Sequence, residues 1–286
     1  MQMGNITIRQ AITWANGILS EASIESARLD AEILILHVTG LERVQLYTRS
    51  EQELGAAQHA RYTELIARRA RGEPVAYLVG QKEFYALDFT VGPAVLIPRP
   101  ETEILVEKAA AWASSGAHVL EIGVGSGAVI VALAKERPDL KLFGLDISPE
   151  ALKTARHNAR RHGVSDRIHL FVGDTLSAVG ARFSLILMNP PYIARREAYA
   201  LSPEVARYEP DVALFGGNDG LDVIRKILSM AAGNLLPGGR LLMECGYDQQ
   251  SSVTRLVQAA GGLRLREWIT DLGGIPRVVI VEKANG

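Results

Sequence analysis

Asn189-Pro190-Pro191-Tyr192 is the stretch of this chain whose residue types most plainly imply chemistry. An amide or aromatic amino nitrogen is a poor nucleophile, because its lone pair is delocalised into a π system. Two acceptors aimed at its two N–H bonds select a planar NH2 group and raise electron density on nitrogen. The Asn189 side-chain oxygen can be one acceptor and the Pro190 carbonyl the other. Consecutive prolines fix φ and contribute no N–H donors, so Pro190 and Pro191 make that carbonyl rigid. Tyr192 can lie against the flat face of the target and exclude water. Alone, Asn-Pro-Pro is also an ordinary turn, so its meaning depends on what accompanies it.

A second constellation is Glu121-Ile122-Gly123-Val124-Gly125-Ser126-Gly127. Glycines at a strand-to-helix turn permit positive φ and let a ligand approach the backbone, with the helix N-terminus beyond. Asp146 follows Gly127 by nineteen residues and closes the next strand, where a carboxylate can accept from ribose hydroxyls. Asp174, after the third strand, can face an adenine amino group or be a solvated turn aspartate. Gly123, Gly125 and Ala128 also satisfy the dinucleotide pattern, so a hydride-transfer enzyme competes on this loop alone. Glu121 and the third glycine, Gly127, favour S-adenosylmethionine, whose ammonium and sulfonium suit an acidic strand end. The expected cofactor site is Glu121, Gly123, Val124, Gly125, Ser126, Gly127, Asp146, Asp174 and Asn189. With the tetrapeptide, the implied reaction is methyl transfer to a planar nitrogen, leaving S-adenosylhomocysteine. Asn189, Pro190 and Tyr192 are the catalytic candidates, and Asn189, Pro190, Pro191 and Tyr192 would hold the acceptor.

The elements that must position these residues alternate. Strands are expected at 119–122, 140–145, 168–172, 183–188 and 239–245, with helices at 128–135, 149–162, 221–235 and 249–260. This order implies right-handed βαβ crossovers and a mainly parallel, Rossmann-like α/β sheet covered on both faces. Strands at 263–269 and 277–281 are joined by a short loop, so one of them pairs antiparallel. Before this, three helices are expected within residues 1–80: one through Ile8 to Leu19, one through Leu29 to His37, and one over 52–71. Thr7, Ser26 and Ser50 are the N-cap candidates, and Gly40 and Gly72 the terminators. Residues 84–91 read as one strand and 95–97 as its hairpin partner, giving a linker over 81–100. Arg68, Arg69 and Arg71, like Arg156, Arg160 and Arg161, read as solvated helix faces. The segment 193–217 has little regular pattern and suits a substrate loop or lid.

Four further segments sharpen the acceptor: Glu73–Gly80, Leu96–Glu103, Tyr208-Glu209-Pro210 and Asp271–Arg277. With Glu121–Gly127, Asp146 and Asn189–Tyr192, they resemble the release factor glutamine methyltransferases (HemK or PrmC), a class I methyltransferase family. The stretch Pro98-Arg99-Pro100-Glu101-Thr102 discriminates most, because the other motifs are shared with DNA enzymes. The resemblance implies methylation of the glutamine side-chain amide in the Gly-Gly-Gln motif of class 1 peptide chain release factors. It implies cofactor contacts from Gly123–Gly127, Asp146 and Asn189, and a further contact where Asp174 or Thr175 falls. It also implies that 1–80 is a substrate-recognition domain and 101–286 the catalytic domain. Alternatives are a ribosomal protein glutamine, or a DNA amino group reached by base flipping.

Composition narrows these choices. The net charge is −1, with eight Lys/Arg and nine Asp/Glu in residues 1–80 and 23 of each thereafter. An enzyme gripping long nucleic acid through phosphates needs a basic bias, so no direct nucleic-acid partner is expected. Cys245 is the only cysteine, the six histidines show no metal-ligand spacing, and no apolar run has the length of a membrane span. A cytoplasmic enzyme without a metal is the expectation.

Overall fold

The computed structural model describes residues 6–284. The chain divides into two compact units, the described residues of Met1–Gly80 together with Ser202–Tyr208, and Gln81–Leu201 with the described residues of Glu209–Gly286.

In the first unit, helices α1 (Ile8–Glu21), α2 (Ala27–Thr39), α3 (Arg43–Thr48), α4 (Ala56–Ala70) and α5 (Val75–Val79) pack around Ile12, Leu34, Ile35, Tyr62 and Leu65. Thr7 caps α1 through a reciprocal box with Gln10, and Gly40 ends α2 in the left-handed region. The third expected helix begins later than its pattern suggests. Its N-cap is Gly55 rather than Ser50, because residues 50–54 are drawn into extended pairing with the start of the chain. Ile8 donates to Gln52, Arg9 to Ser50 and Leu54 to Ile6 along the backbone. The short helices α3 and α5 carry too few turns to show a period and were not expected.

Arg69 corrects the reading of its cluster as a solvated face. It is buried, and its guanidinium donates to Asp30 at 2.7 Å, to Glu204 at 2.6 Å and to the Glu73 carbonyl at 3.1 Å. A charge withdrawn from water persists only when it is paired on several sides. Replacing Asp30 with alanine leaves that guanidinium short of its most buried partner. Asp30→Ala is therefore expected to destabilise this unit by about 3 kcal/mol, whereas Arg61→Ala, in an exposed, solvent-screened pair with Glu64, should leave stability nearly unchanged. Urea unfolding of the two variants checks this contrast.

The second unit starts with a hairpin, β1 (Gln81–Phe84) and β2 (Leu87–Thr90), turned by Tyr85 and Ala86 at φ of 52° and 54°. The sequence reading placed this turn inside a strand, because neither residue is the glycine or asparagine such tight turns favour. Residues 95–97 form no strand.

After α6 (Glu103–Trp112), the elements are β3 (His118–Ile122), α7 (Ala128–Glu136), β4 (Lys141–Asp146), α8 (Pro149–Arg161), β5 (Ile168–Val172) and β6 (Phe183–Met188). Then come α9 (Pro203–Tyr208, part of the first unit), α10 (Asp211–Leu214), α11 (Asp222–Asn234), β7 (Leu235–Glu244), α12 (Gln250–Ala259), β8 (Leu263–Thr270) and β9 (Pro276–Lys283). The seven-stranded sheet has the order β5-β4-β3-β6-β7-β9-β8, parallel except that β9 runs against both neighbours. Successive strand residues face opposite ways. Val119, Leu185 and Leu187 pack with α6 and α7, while Leu120, Ile122 and Ile186 pack with α11 and α12. The interval 193–217 is less irregular than expected, holding a 3-10 helix at Arg195–Ala200 besides α9 and α10. Among the described residues no helix is long and apolar enough to cross a membrane.

Candidate active site

Strand pairing assembles the site. Ile122 on β3 pairs with Leu145 on one side and Met188 on the other, so the loops after β3, β4 and β6 emerge together at the carboxyl edge. They line a cavity of about 210 Å3 that includes Glu121, Gly123, Val124, Gly125, Ser126, Asp146, Asp174, Asn189 and Pro191. Gly127, Pro190 and Tyr192 do not line it. Gly127 serves packing, since a β-carbon there would lie 3.1 Å from Ala155 of α8. Pro190 is buried and Tyr192 half-buried.

Gly123 and Gly125 adopt φ of 73° and 52°, and open space lies where a β-carbon would stand on either. The loop is pinned by Asp146, whose carboxylate accepts from the Gly125 N–H at 2.9 Å and from the Ser148 N–H at 2.8 Å. Burial raises the Asp146 pKa, with those backbone donors acting against it. Glu121 is buried, and desolvation raises its pKa well above the usual carboxylate range. The Ile130 amide in the first turn of α7 faces this carboxylate, while its Oε2 has no hydrogen-bond partner within the protein. Asp174 is exposed and pairs with Lys226 at 2.5 Å, although it also borders the cavity. Its neighbour Thr175 is buried at φ 55°, a strained conformation for a β-branched residue.

Asn189 is held by a relay. Its Nδ2 donates to Thr102 Oγ1 at 3.1 Å, and that hydroxyl donates to Glu244 Oε2 at 2.6 Å. Thr102 and Glu244 are both buried. Burial pushes the Glu244 pKa up to about 7, and nearby Glu101 adds to this, against hydrogen bonding from Thr102 and Tyr192 and the charge of Arg277. The tetrapeptide backbone is gripped from the other side. Gln249 Nε2 donates to the Tyr192 carbonyl at 2.9 Å, and Ile193 pairs with the backbone at Leu214 and Gly216. A β-carbon on Gly216 would fall 2.3 Å from the Pro191 carbonyl oxygen, and one on Gly220 2.2 Å from that of Tyr192. Only glycine allows so close an approach of two backbones.

Residues from three of the distinctive sequence segments, Leu96–Glu103, Glu209-Pro210 and Asp271–Arg277, are also paired within this unit. Arg99 pairs with buried Glu209, whose second oxygen accepts from the Ile97 N–H at 3.1 Å. Arg277 pairs with Asp271, and its charge reaches Tyr192 and Glu244.

The PrmC N-terminal domain matches residues 10–80, and the methyltransferase small domain matches residues 100–206. The chain is 45% identical to the release factor glutamine methyltransferase of Geobacter sulfurreducens over 256 residues, covering 89% of each. The chain belongs to the release factor glutamine methyltransferase family. Its member from Koribacter versatilis is 42% identical over 287 residues, spanning 97% of this chain and 99% of that one. A solved methyltransferase from Pyrococcus furiosus shares the fold at 21% identity and a TM-score of 0.54, covering 81% of this chain and 100% of the other.

The methyl donor of this family is S-adenosylmethionine, and the residues present fit it. The unpartnered Glu121 oxygen suits an ammonium donor, and the open glycine turn admits a ligand against the backbone. Each Asp146 oxygen keeps lone-pair capacity beyond its one backbone donor.

Sequence reasoning missed Glu244, Thr102 as a site residue, Gly216, Gly220 and Gln249. One signal was available. Glu244 ends the apolar run Leu241-Leu242-Met243 as Glu121 nearly ends β3, and an acidic residue at the carboxyl end of a buried strand faces the site edge. Because the folded protein holds the Glu244 proton to about pH 7, against an ordinary 4.5, its contribution to stability falls as pH rises through that interval. Glu244→Gln removes this dependence. The variant should gain on the order of 3 kcal/mol relative to the parent between pH 4 and pH 8, read from denaturation at each pH.

Proposed function

We propose that this chain transfers a methyl group from S-adenosylmethionine to the side-chain amide nitrogen of the glutamine in the Gly-Gly-Gln motif of class 1 peptide chain release factors. The observation that carries the reading is the placement of Asn189. It borders the same cavity as the Glu121–Gly125 loop, with its amide nitrogen already engaged and its oxygen left for an incoming donor. The relatives named above are release factor glutamine methyltransferases, which supports glutamine as the acceptor and a cytoplasmic site of action.

When bound, the cofactor supplies a methyl group made electrophilic by its sulfonium. Glu121 would take the ammonium end, Gly123, Val124, Gly125, Ser126 and Gly127 would shape the turn around it, and Asp146 would accept from the ribose. Asp174, which lines the cavity and pairs with Lys226, would face the adenine amino group. The Asn189 oxygen and the Pro190 carbonyl accept the two N–H hydrogens of the substrate amide. This localises its lone pair on nitrogen and aims it along one line. Pro190 and Pro191 hold the carbonyl still, and the Tyr192 ring, although outside the cavity lining, is assigned to the amide face. An N-methylated amide cation is a strong acid, so its proton leaves without a dedicated base. Residues 1–80 are assigned to substrate recognition and 101–286 to catalysis, with 81–100 as the linker.

Asn189→Ala should lower turnover by roughly 1000-fold while cofactor affinity changes by only about tenfold or less. Labelled S-adenosylmethionine offered with a release factor, its Gln→Asn variant and duplex DNA tests the acceptor. Label is expected on the parent release factor alone, and label on DNA instead would overturn the reading.

A further inference from the structure

An asparagine side chain has nearly the same shape whichever way its amide is turned, so position alone does not decide whether it offers an acceptor or a donor. At Asn189 the choice matters. The oxygen suits the N–H of a side-chain amide, and the nitrogen suits a carboxylate. We propose that Thr102, held by Glu244, is a positioning residue that locks the Asn189 oxygen toward the substrate and so makes the site select glutamine over glutamate. The inference rests on the glutamine reading above and adds the means of discrimination.

The argument is a count of hydrogens. The Thr102 hydroxyl owns one, and it points at Glu244 across 2.6 Å. What Thr102 turns toward Asn189 is therefore a lone pair, which only the amide nitrogen can satisfy, at 3.1 Å. Thr102 is 6% exposed and Glu244 2% exposed, so water does not compete for the bond between them, while Asn189 at the other end is half-buried on the cavity wall. Turning the amide over would set its oxygen against a Thr102 lone pair and forfeit the hydrogen bond between them. The lock needs Glu244 in its accepting form. The groups bearing on that carboxylate are Glu101, Arg277, Tyr192 and Cys245, and it is ionised above about pH 7.

A glutamate entering this site would bring a carboxylate against the Asn189 oxygen and the Pro190 carbonyl, with no donor to meet it. Sites built to receive a substrate N–H reject analogues lacking it strongly. Truncating Thr102 to valine keeps its shape, removes the hydroxyl and frees the Asn189 amide to turn.

The test measures direct binding of an intact release factor, and of its Gln→Glu variant at the methylated position, at pH 8. The wild-type enzyme, Thr102→Ser and Thr102→Val are compared. The wild type should prefer the glutamine form by roughly 100-fold, Thr102→Ser should keep that preference, and Thr102→Val should bring it below about tenfold. For glutamine, the valine variant should lose mainly kcat, with KM shifting only a few-fold. An undiminished preference in Thr102→Val overturns the lock. If that variant does not fold, the wild type still decides: the Asn189 side-chain NH2 protons should show a nuclear Overhauser contact to the Thr102 methyl group. Absence of that contact also overturns it. A wild type that neither binds nor methylates the glutamine form would instead refute the substrate reading, while the spectroscopic arm would still report on the lock.

Discussion

The register of β3 against β4 and β6 is the constraint on which the site depends. Parallel pairing of Ile122 with Leu145 and with Met188 brings three loops out at one edge in fixed order. A shift of one residue would turn each strand's buried set toward the opposite layer. Both faces of this sheet are covered, so hydrophobic burial holds the register firmly. The precision of the cavity is therefore inherited from core packing, and the loops need only short reaches from well-held ends.

That edge gathers Glu121, Asp146 and Glu244 in buried surroundings. Their burial works against folding, and the protein compensates unequally. Asp146 has two backbone donors, Glu244 has hydroxyl partners and Arg277 nearby, and Glu121 keeps one oxygen without any partner. Unsatisfied polarity of this kind marks where stability has been yielded to ligand recognition.

Much of this was legible beforehand, for identifiable reasons. The alternation of strands and helices from His118 onward is strongly periodic, and the structure follows it closely. The glycine loop and the Asn189 tetrapeptide announce themselves because their residue types are costly anywhere else. Relations across long separations were not legible. Thr102 and Glu244 lie 142 residues apart, and nothing local ties one to the other. Nothing local to Gly216 or Gly220 signals the neighbouring backbone that leaves no room for a β-carbon. Arg69 read as surface because its partners, Asp30 and Glu204, sit on other elements. The turn at Tyr85-Ala86 was hidden by residues that rarely adopt positive φ.

The pairing of Arg69 with Glu204, 135 positions later, bears on how the protein is made. A chain leaving the ribosome from its N-terminus presents α1 to α5 long before Glu204 exists. The early bundle can bury Arg69 against Asp30, but its second carboxylate arrives only after most of the sheet's strands have been synthesised. Because domains tend to fold as they emerge, the helices of the first unit meet Arg69 with one of its two carboxylate partners still to be made.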